Sequence, residues 1–311
     1  MSRSPVPLVL ALLLASCTSA PSGPVVRIAH LGRANGDPEG LAAIQEVFAE
    51  RNRGYGLAWH ESLERVARGD AHRIFFVQRG EALVTVDLGS RTVSSMCTVG
   101  DMVLLRPGES LRAAPLLQAL AFEIPAELPP HLPTFVRPDW NPRITDTLGG
   151  CATEAGAYRR ILVTWLEANG PYVFHALNAH RVRIMDSFSH YHPELRGFDE
   201  LYLVQMVQPE ARLLTSDRVE DIVRRTVERE EAADLIDVHH LSVGDLVFIP
   251  RGIMHRGLGG VLAQVITVPG FRPGAEIGLD HHLLAINAKL GLEGDDALPY
   301  NVEASAGPII R

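Results

Sequence analysis

Gly244-Asp-Leu-Val-Phe-Ile-Pro250-Arg-Gly252-Ile-Met-His255 has a counterpart in the first half of the chain, Gly100-Asp-Met-Val-Leu-Leu-Arg-Pro107-Gly108, which keeps the order of residue types and lacks the histidine. Each copy is a Gly-Asp turn, an apolar run and a Pro/Gly turn, the pattern of a buried strand between two reversals. Two copies and no more indicate a duplicated domain rather than a solenoid.

Outward from these stretches the text stays strand-like. Arg73-Ile-Phe-Phe-Val-Gln and Ala82-Leu-Val-Thr-Val-Asp precede the first copy, and Val182-Arg-Ile-Met and Glu200-Leu-Tyr-Leu-Val precede the second, with Ala263-Gln-Val-Ile-Thr-Val after it. Short β-branched and aromatic runs at regular spacing predict a mainly all-β protein of two antiparallel jelly-roll barrels. The expected boundaries are a first domain over 25–125, a proline-rich linker over 126–148, a second domain over 149–275, and a helix and tail over 276–311. Three helices are expected. Asp37 to Arg51 carries Leu41, Ile44, Val47 and Phe48 at helical spacing, and His281 to Leu290 reads as a helix packed outside the second barrel. Ser216 to Asp234 reads as an inserted helix, with strand as the alternative at Val223, lying over the barrel mouth or on the solvated surface.

Chemistry concentrates at Ser189-His190-Tyr191-His192-Pro193. Residues two apart on a strand share a face, so both imidazoles can enter one interior. Glu200 opens the next apolar strand and His255 ends the Pro250-Arg-Gly252 turn, which makes three neutral nitrogens and one carboxylate. Glu194 is the competing carboxylate, closer to His192 in sequence.

The second stretch is similar to the second motif of the cupin superfamily, Gly-x5-Pro-x-Gly-x2-His, with Gly259 where the family has a trailing Asn. His190 and His192 fit the first motif, but the spacing to Glu200 is longer than usual, so the residues around Gly197 must bulge as a loop. The resemblance spans Arg159 to Pro273. It implies a double-stranded β-helix barrel holding one divalent ion (Fe, Mn, Ni, Co or Zn) on His190, His192, Glu200 and His255, with Glu200 and His255 as the catalytic residues. In the first half the same places fall at Val66, Arg68, Arg73 and Leu111, so that barrel is expected to hold no metal; His60 and His72 are read as non-ligands. Such a pair resembles bicupins with one catalytic and one structural barrel. His175 and His180 are candidates to line the cavity. The adjacent pairs His239-His240 and His281-His282 are read as structural or exposed, their side chains diverging rather than stacking.

The N-terminus is a separate matter. Arg3, an apolar run from Val6 to Ala15 and Leu14-Ala15-Ser16-Cys17 read as a secretory signal too short to span a membrane. Cys17 resembles the lipobox cysteine of bacterial lipoproteins, and Thr18 after it points to an outer-membrane anchor facing the periplasm, with 18–24 as a tether. Cys97 and Cys151 either pair or remain two buried thiols. A formal net charge of −8 without a basic block argues against nucleic acid and against a polybasic membrane patch. The expected partners are a small anionic or chelating substrate and the membrane through the lipid alone; a homo-oligomer stays open. Two functions follow from the resemblance: a dioxygenase or decarboxylase, or a non-catalytic metal and small-ligand binder.

Overall fold

A computed structural model describes residues 24–150 and 158–311; Cys17 and Cys151 lie outside them. In chain order the elements are β1 (Arg27–His30), α1 (Pro38–Arg51), β2 (Gly56–Val66), β3 (His72–Arg79), β4 (Glu81–Asp87), β5 (Thr92–Thr98), β6 (Met102–Leu105), β7 (Ser110–Ile124) and β8 (Phe135–Val136). They continue with β9 (Arg159–Val163), β10 (Asn178–Asp186), β11 (His190–Tyr191), β12 (Asp199–Val207), β13 (Arg212–Ser216), α2 (Val219–Arg224), β14 (Asp237–His240), β15 (Asp245–Ile249), β16 (Met254–Val268), β17 (Ile277–Gly278) and α3 (Asp280–Leu290).

The strands form two antiparallel sheets that curl into barrels of jelly-roll kind. In the first, the order β5-β4-β7-β3-β6-β8 is joined by β2 on β7; in the second, β1-β15-β12-β16-β10-β9 is joined by β11, β13, β14 and β17. The long strands β7 and β16 serve as spines. β7 pairs with β2, β3 and β4, and β16 with β10, β11, β12 and β13. The repeat extends to single hydrogen bonds: Gly100 donates to Val77 O at 3.0 Å, as Gly244 does to Val204 O at 2.9 Å. Asp101 accepts from Thr98 N at 2.9 Å, and Asp245 from Ser242 N at 2.8 Å. Gly100 and Gly244 both need a positive φ, 96° and 89°, which a side chain would resist.

Alternation along the strands divides the apolar residues between two kinds of core. Tyr202, Val204, Val247, Ile249 and Val265 fill the second barrel, and Phe75, Val77, Val84 and Val103 fill the first. The opposite faces meet each other: Ile74, Phe76, Leu104 and Phe122 pack with Leu201, Leu203, Phe248 and Ile266 across Ile44 and Phe48 of α1. α1 forms as its spacing predicts, with Asp37 capping through a 3.0 Å bond from Gly40 N.

Some outcomes differ from the sequence reading. β1 precedes the first barrel but pairs with β15 of the second, His30 Nδ1 lying 2.8 Å from the Asp245 carboxylate. The proline-rich stretch is mostly turns around β8, and Leu128, Leu132 and Val136 are buried in the shared core. The insertion neither covers the barrel mouth nor floats in solvent: Ile222, Val227 and Ala232 bury against Leu279, Leu283 and Ile286 of the C-terminal segment. His281 and His282 do meet, with ring centroids 4.0 Å apart. Cys97 is a buried free thiol that burial pushes up to about 12. Among the described residues no helix is long and apolar enough to cross a membrane.

Candidate metal centre

His190, His192, Glu200 and His255 converge inside the second barrel, with one nitrogen or oxygen of each lying within 4.8 Å of the others. Register explains how. His190 on β11 stands directly opposite His255 on β16, and Glu200 on β12 lies between Ile249 and Thr267. Glu200 Oε2 is 3.5 Å from His192 Nε2 and 3.8 Å from His255 Nε2. All four side chains are buried, none more than 3% exposed.

The backbone sets the tautomers. Nδ1 of His190 lies 3.0 Å from Phe188 O, that of His192 3.1 Å from Phe198 O, and that of His255 3.3 Å from Ile253 O. A carbonyl only accepts, so each Nδ1 carries the hydrogen and each Nε2 presents a lone pair. These three Nε2 atoms and Glu200 Oε1 have no hydrogen-bond partner. Three lone pairs and a carboxylate facing one another without a donor is the environment a cation satisfies, so the residues fit a divalent ion. The electrostatics agree with that frustration. Burial, with Glu276 adding to it, pushes the Glu200 carboxyl up to about 8, against a hydrogen bond from Tyr202. Burial and the neighbouring imidazoles hold His192 and His255 well below the usual histidine range.

The long spacing from His192 to Glu200 has a local purpose. Gly197 N bonds to Pro193 O at 3.0 Å and Arg196 takes a positive φ of 70°, closing a turn that brings Phe198 O to His192. The Phe198 ring lies 3.9 Å from the His192 ring. Glu194 points outward from this turn to Arg51, 3.1 Å away, and takes no part in the cluster. Phe188 stacks on His190 at 4.4 Å. The strand that carries His190 is fixed in turn by Asp280, which accepts from Ser189 N at 2.8 Å.

Asp199, the residue before Glu200, is fully buried and was not singled out from the sequence. It accepts from Arg51 Nε at 3.2 Å, Asn52 Nδ2 at 2.8 Å and Arg251 Nε at 2.9 Å. One carboxylate thereby ties the end of α1, the start of β12 and the turn before His255 together. Nothing in the local text signals this, because its partners come from distant segments.

A cavity of about 350 Å³ opens onto Glu200, walled by Trp165, His180, Thr267 and Phe271 with Arg159, Glu276 and Arg311 also lining it. His180 is thus the cavity histidine; His175 is exposed. The first barrel keeps the register without the ligands. Val66 stands opposite Leu111 as His190 does opposite His255, and Arg73 stands opposite Leu105 as Glu200 does opposite Ile249. Arg73 donates instead to Ala67 O and Glu109 O at 3.1 and 3.2 Å. His72 Nδ1 accepts from Leu128 N at 3.5 Å, and His60 packs against Phe75.

No family model matches the chain, and no curated protein matches it. Among solved structures it is similar to an oxalate decarboxylase described for its substrate binding mode and a reaction specificity switch, with 13% identity over 81% of this chain and 79% of that one and a TM-score of 0.48. A Bacillus subtilis oxalate decarboxylase studied for its Mn(II) centres gives 11% identity over 93% and 85%, with a TM-score of 0.49. Vicilin from hazelnut, Corylus avellana, gives 10% over 70% and 75%, with a TM-score of 0.45. These likenesses say nothing of substrate or activity; the chemistry of this chain rests on its own residues.

Proposed function

We infer that the protein is a metal-dependent cupin enzyme, an oxidoreductase of dioxygenase type or a decarboxylase, acting on a small anionic organic substrate that chelates through oxygen. The observation that carries this is the convergence of three Nε2 lone pairs on the Glu200 carboxylate, a residue that also lines an open cavity. A structural ion more typically has a closed shell of protein ligands, whereas a reactive one keeps a side open. Bound there, a divalent ion would supply a Lewis acid and a place for chelating oxygens or dioxygen. The chain's own groups do the rest. Glu200 would ligate and, through its unpartnered Oε1, can shuttle a proton; the imidazoles of His190, His192 and His255 are held in place by their carbonyl partners; Trp165 and Phe271, stacked at 5.4 Å, line the cavity.

The test is an oxygen-electrode and product screen of the protein loaded with Fe(II), Mn(II), Ni(II), Co(II) or Zn(II) against diketones, catechol-like compounds and hydroxy acids, with His255→Ala as the blank. Turnover that is lost in the blank supports the enzyme. Tight calorimetric binding with neither uptake nor product under any metal makes it a non-catalytic ligand binder. We also propose export and lipid anchoring at Cys17 to the outer membrane, facing the periplasm, a reading supported by Leu14-Ala15-Ser16-Cys17 after the apolar run.

A further inference from the structure

The cavity leading to Glu200 carries more polar groups than a metal ion uses. Thr267 is 5% exposed, its Oγ1 has no partner, and it stands directly across from Glu200 in the β12–β16 register. On the next strand His180 stands opposite Val265, and its Nε2 is also buried without a partner. His180 alternates with Val182 and Ile184 of the barrel core, so it faces the interior, and burial beside the Arg159 guanidinium keeps it neutral. Buried polar atoms of this kind are normally satisfied. A hydroxyl and a neutral imidazole in one wall suit oxygens lying between the cluster and the mouth.

The rim supplies charge. The Arg311 guanidinium lies 4.9 Å over the Phe188 ring, whose stacking partner is His190, so two ring contacts separate it from the cluster. Its place is set by main-chain pairing, Arg311 N to Glu276 O at 2.9 Å and Gly274 N to Arg311 O at 2.8 Å, and it has no ion-pair partner among the described residues. Arg159 and Arg311 balance Glu200 and Glu276 around the cavity. A divalent ion at the cluster would add positive charge to that lining, which favours an anionic ligand with a second charged group at the rim.

We propose that this cavity takes a small acid with a second carboxylate: the chelating end at the cluster, the far carboxylate on Arg311, and the oxygens between on Thr267 and His180. This rests on the metal reading above. It assigns Arg311 as the residue that sets specificity and Thr267 as a positioning residue.

Calorimetry on the Mn(II)-loaded full chain tests it, with Mn content measured first by elemental analysis. The probes are 2-hydroxyglutarate and 2-hydroxyadipate against 2-hydroxypentanoate and 2-hydroxyhexanoate, which share the chelating end and differ in the far carboxylate. The diacids should bind about tenfold tighter than monoacids of equal length, as one charge-assisted bidentate contact allows. Arg311→Gln should erase that preference with Mn content unchanged, weakening the diacids far more than the monoacids, and Arg311→Lys should restore part of it. Thr267→Val should weaken both series alike. Equal binding of the two series, or no binding of either to Mn-loaded protein, overturns the inference alone. Absence of bound Mn(II) in the wild-type chain overturns the metal reading and this inference with it.

Discussion

Arg51, the last residue of α1, donates its Nε to Asp199, the first residue of β12, at 3.2 Å across a sequence separation of 148. The acceptor is fully buried while the donor side chain is 20% exposed, so a segment before the first barrel neutralises a charge inside the second. Leaving a buried charge wholly uncompensated costs about 3–5 kcal/mol; removing one arginine leaves Asp199 with the other and Asn52, so each single loss should cost less. Arg251→Ala and Arg51→Ala should each destabilise the protein in denaturant melts, by less for Arg51 because it is more exposed. Both should also weaken metal binding, since Arg251 belongs to the turn before His255. A variant that melts like wild type would remove the clamp from the account.

The same contact makes the second half dependent on the first. A fragment over 149–275 keeps all four candidate ligands but loses Arg51, Asn52 and the apolar cover of Ile44 and Phe48. Elemental analysis of that fragment should show little or no metal under conditions that load the full chain. Full loading would show that the second barrel assembles its centre alone.

Metal content of the full chain should be close to one ion. Alanine at His190, His192, Glu200 or His255 should lower it, and Glu194→Ala or Arg73→Ala should leave it unchanged. Two ions per chain would contradict the register that places Val66, Leu111 and Arg73 at the equivalent positions of the first barrel.

Metal-free protein should be most stable near pH 6.5. Below that value the unfolded chain protonates histidines that the folded chain keeps neutral, His192 and His255 well below 6.5 and His180 down to about 3, so stability falls as pH falls. Between 4.5 and about 8 the folded chain holds a proton on Glu200 that the unfolded chain has released, so this group's contribution is lost as pH rises. The imidazoles dominate below 6.5 and Glu200 above it. Glu200→Gln should therefore abolish the decline between pH 6.5 and 8, a gain of about 2 kcal/mol at the upper end. Thermal melts of chelator-treated protein at a series of pH values would show it; an unchanged decline in the variant would place the titration elsewhere.

Cys17→Ser should abolish labelling with a fatty acid and leave the precursor unprocessed. Equal labelling of both forms would end the lipid-anchor proposal.

Much of the barrel and the cluster was legible because both rest on short-range regularities. Alternation sorts Tyr202 and Val204 inward and Leu201 and Leu203 toward the other barrel, and the two-residue step puts His190 and His192 on one face. Register then follows from the repeat, which is why Val66 and Leu111 could be matched to His190 and His255 from text alone. What stayed illegible depends on contacts between distant segments. Asp199 looks like any charge at a strand start, Arg311 like any polar tail residue, and Arg27–His30 like the first strand of the first barrel. Their partners at Arg51, Glu276 and Phe248 lie in other elements, and no periodicity links them.

The pairing of β1 with β15 turns the two barrels into links of one closed loop. The first strand of the described residues must wait for a partner made much later, Ala29 opposite Leu246, so the second sheet completes only when both segments are present. Cutting the backbone between the barrels would therefore not release two particles. A chain nicked in the proline-rich stretch should still migrate as one body on gel filtration, its first piece laced to the second through that strand and separable only by unfolding.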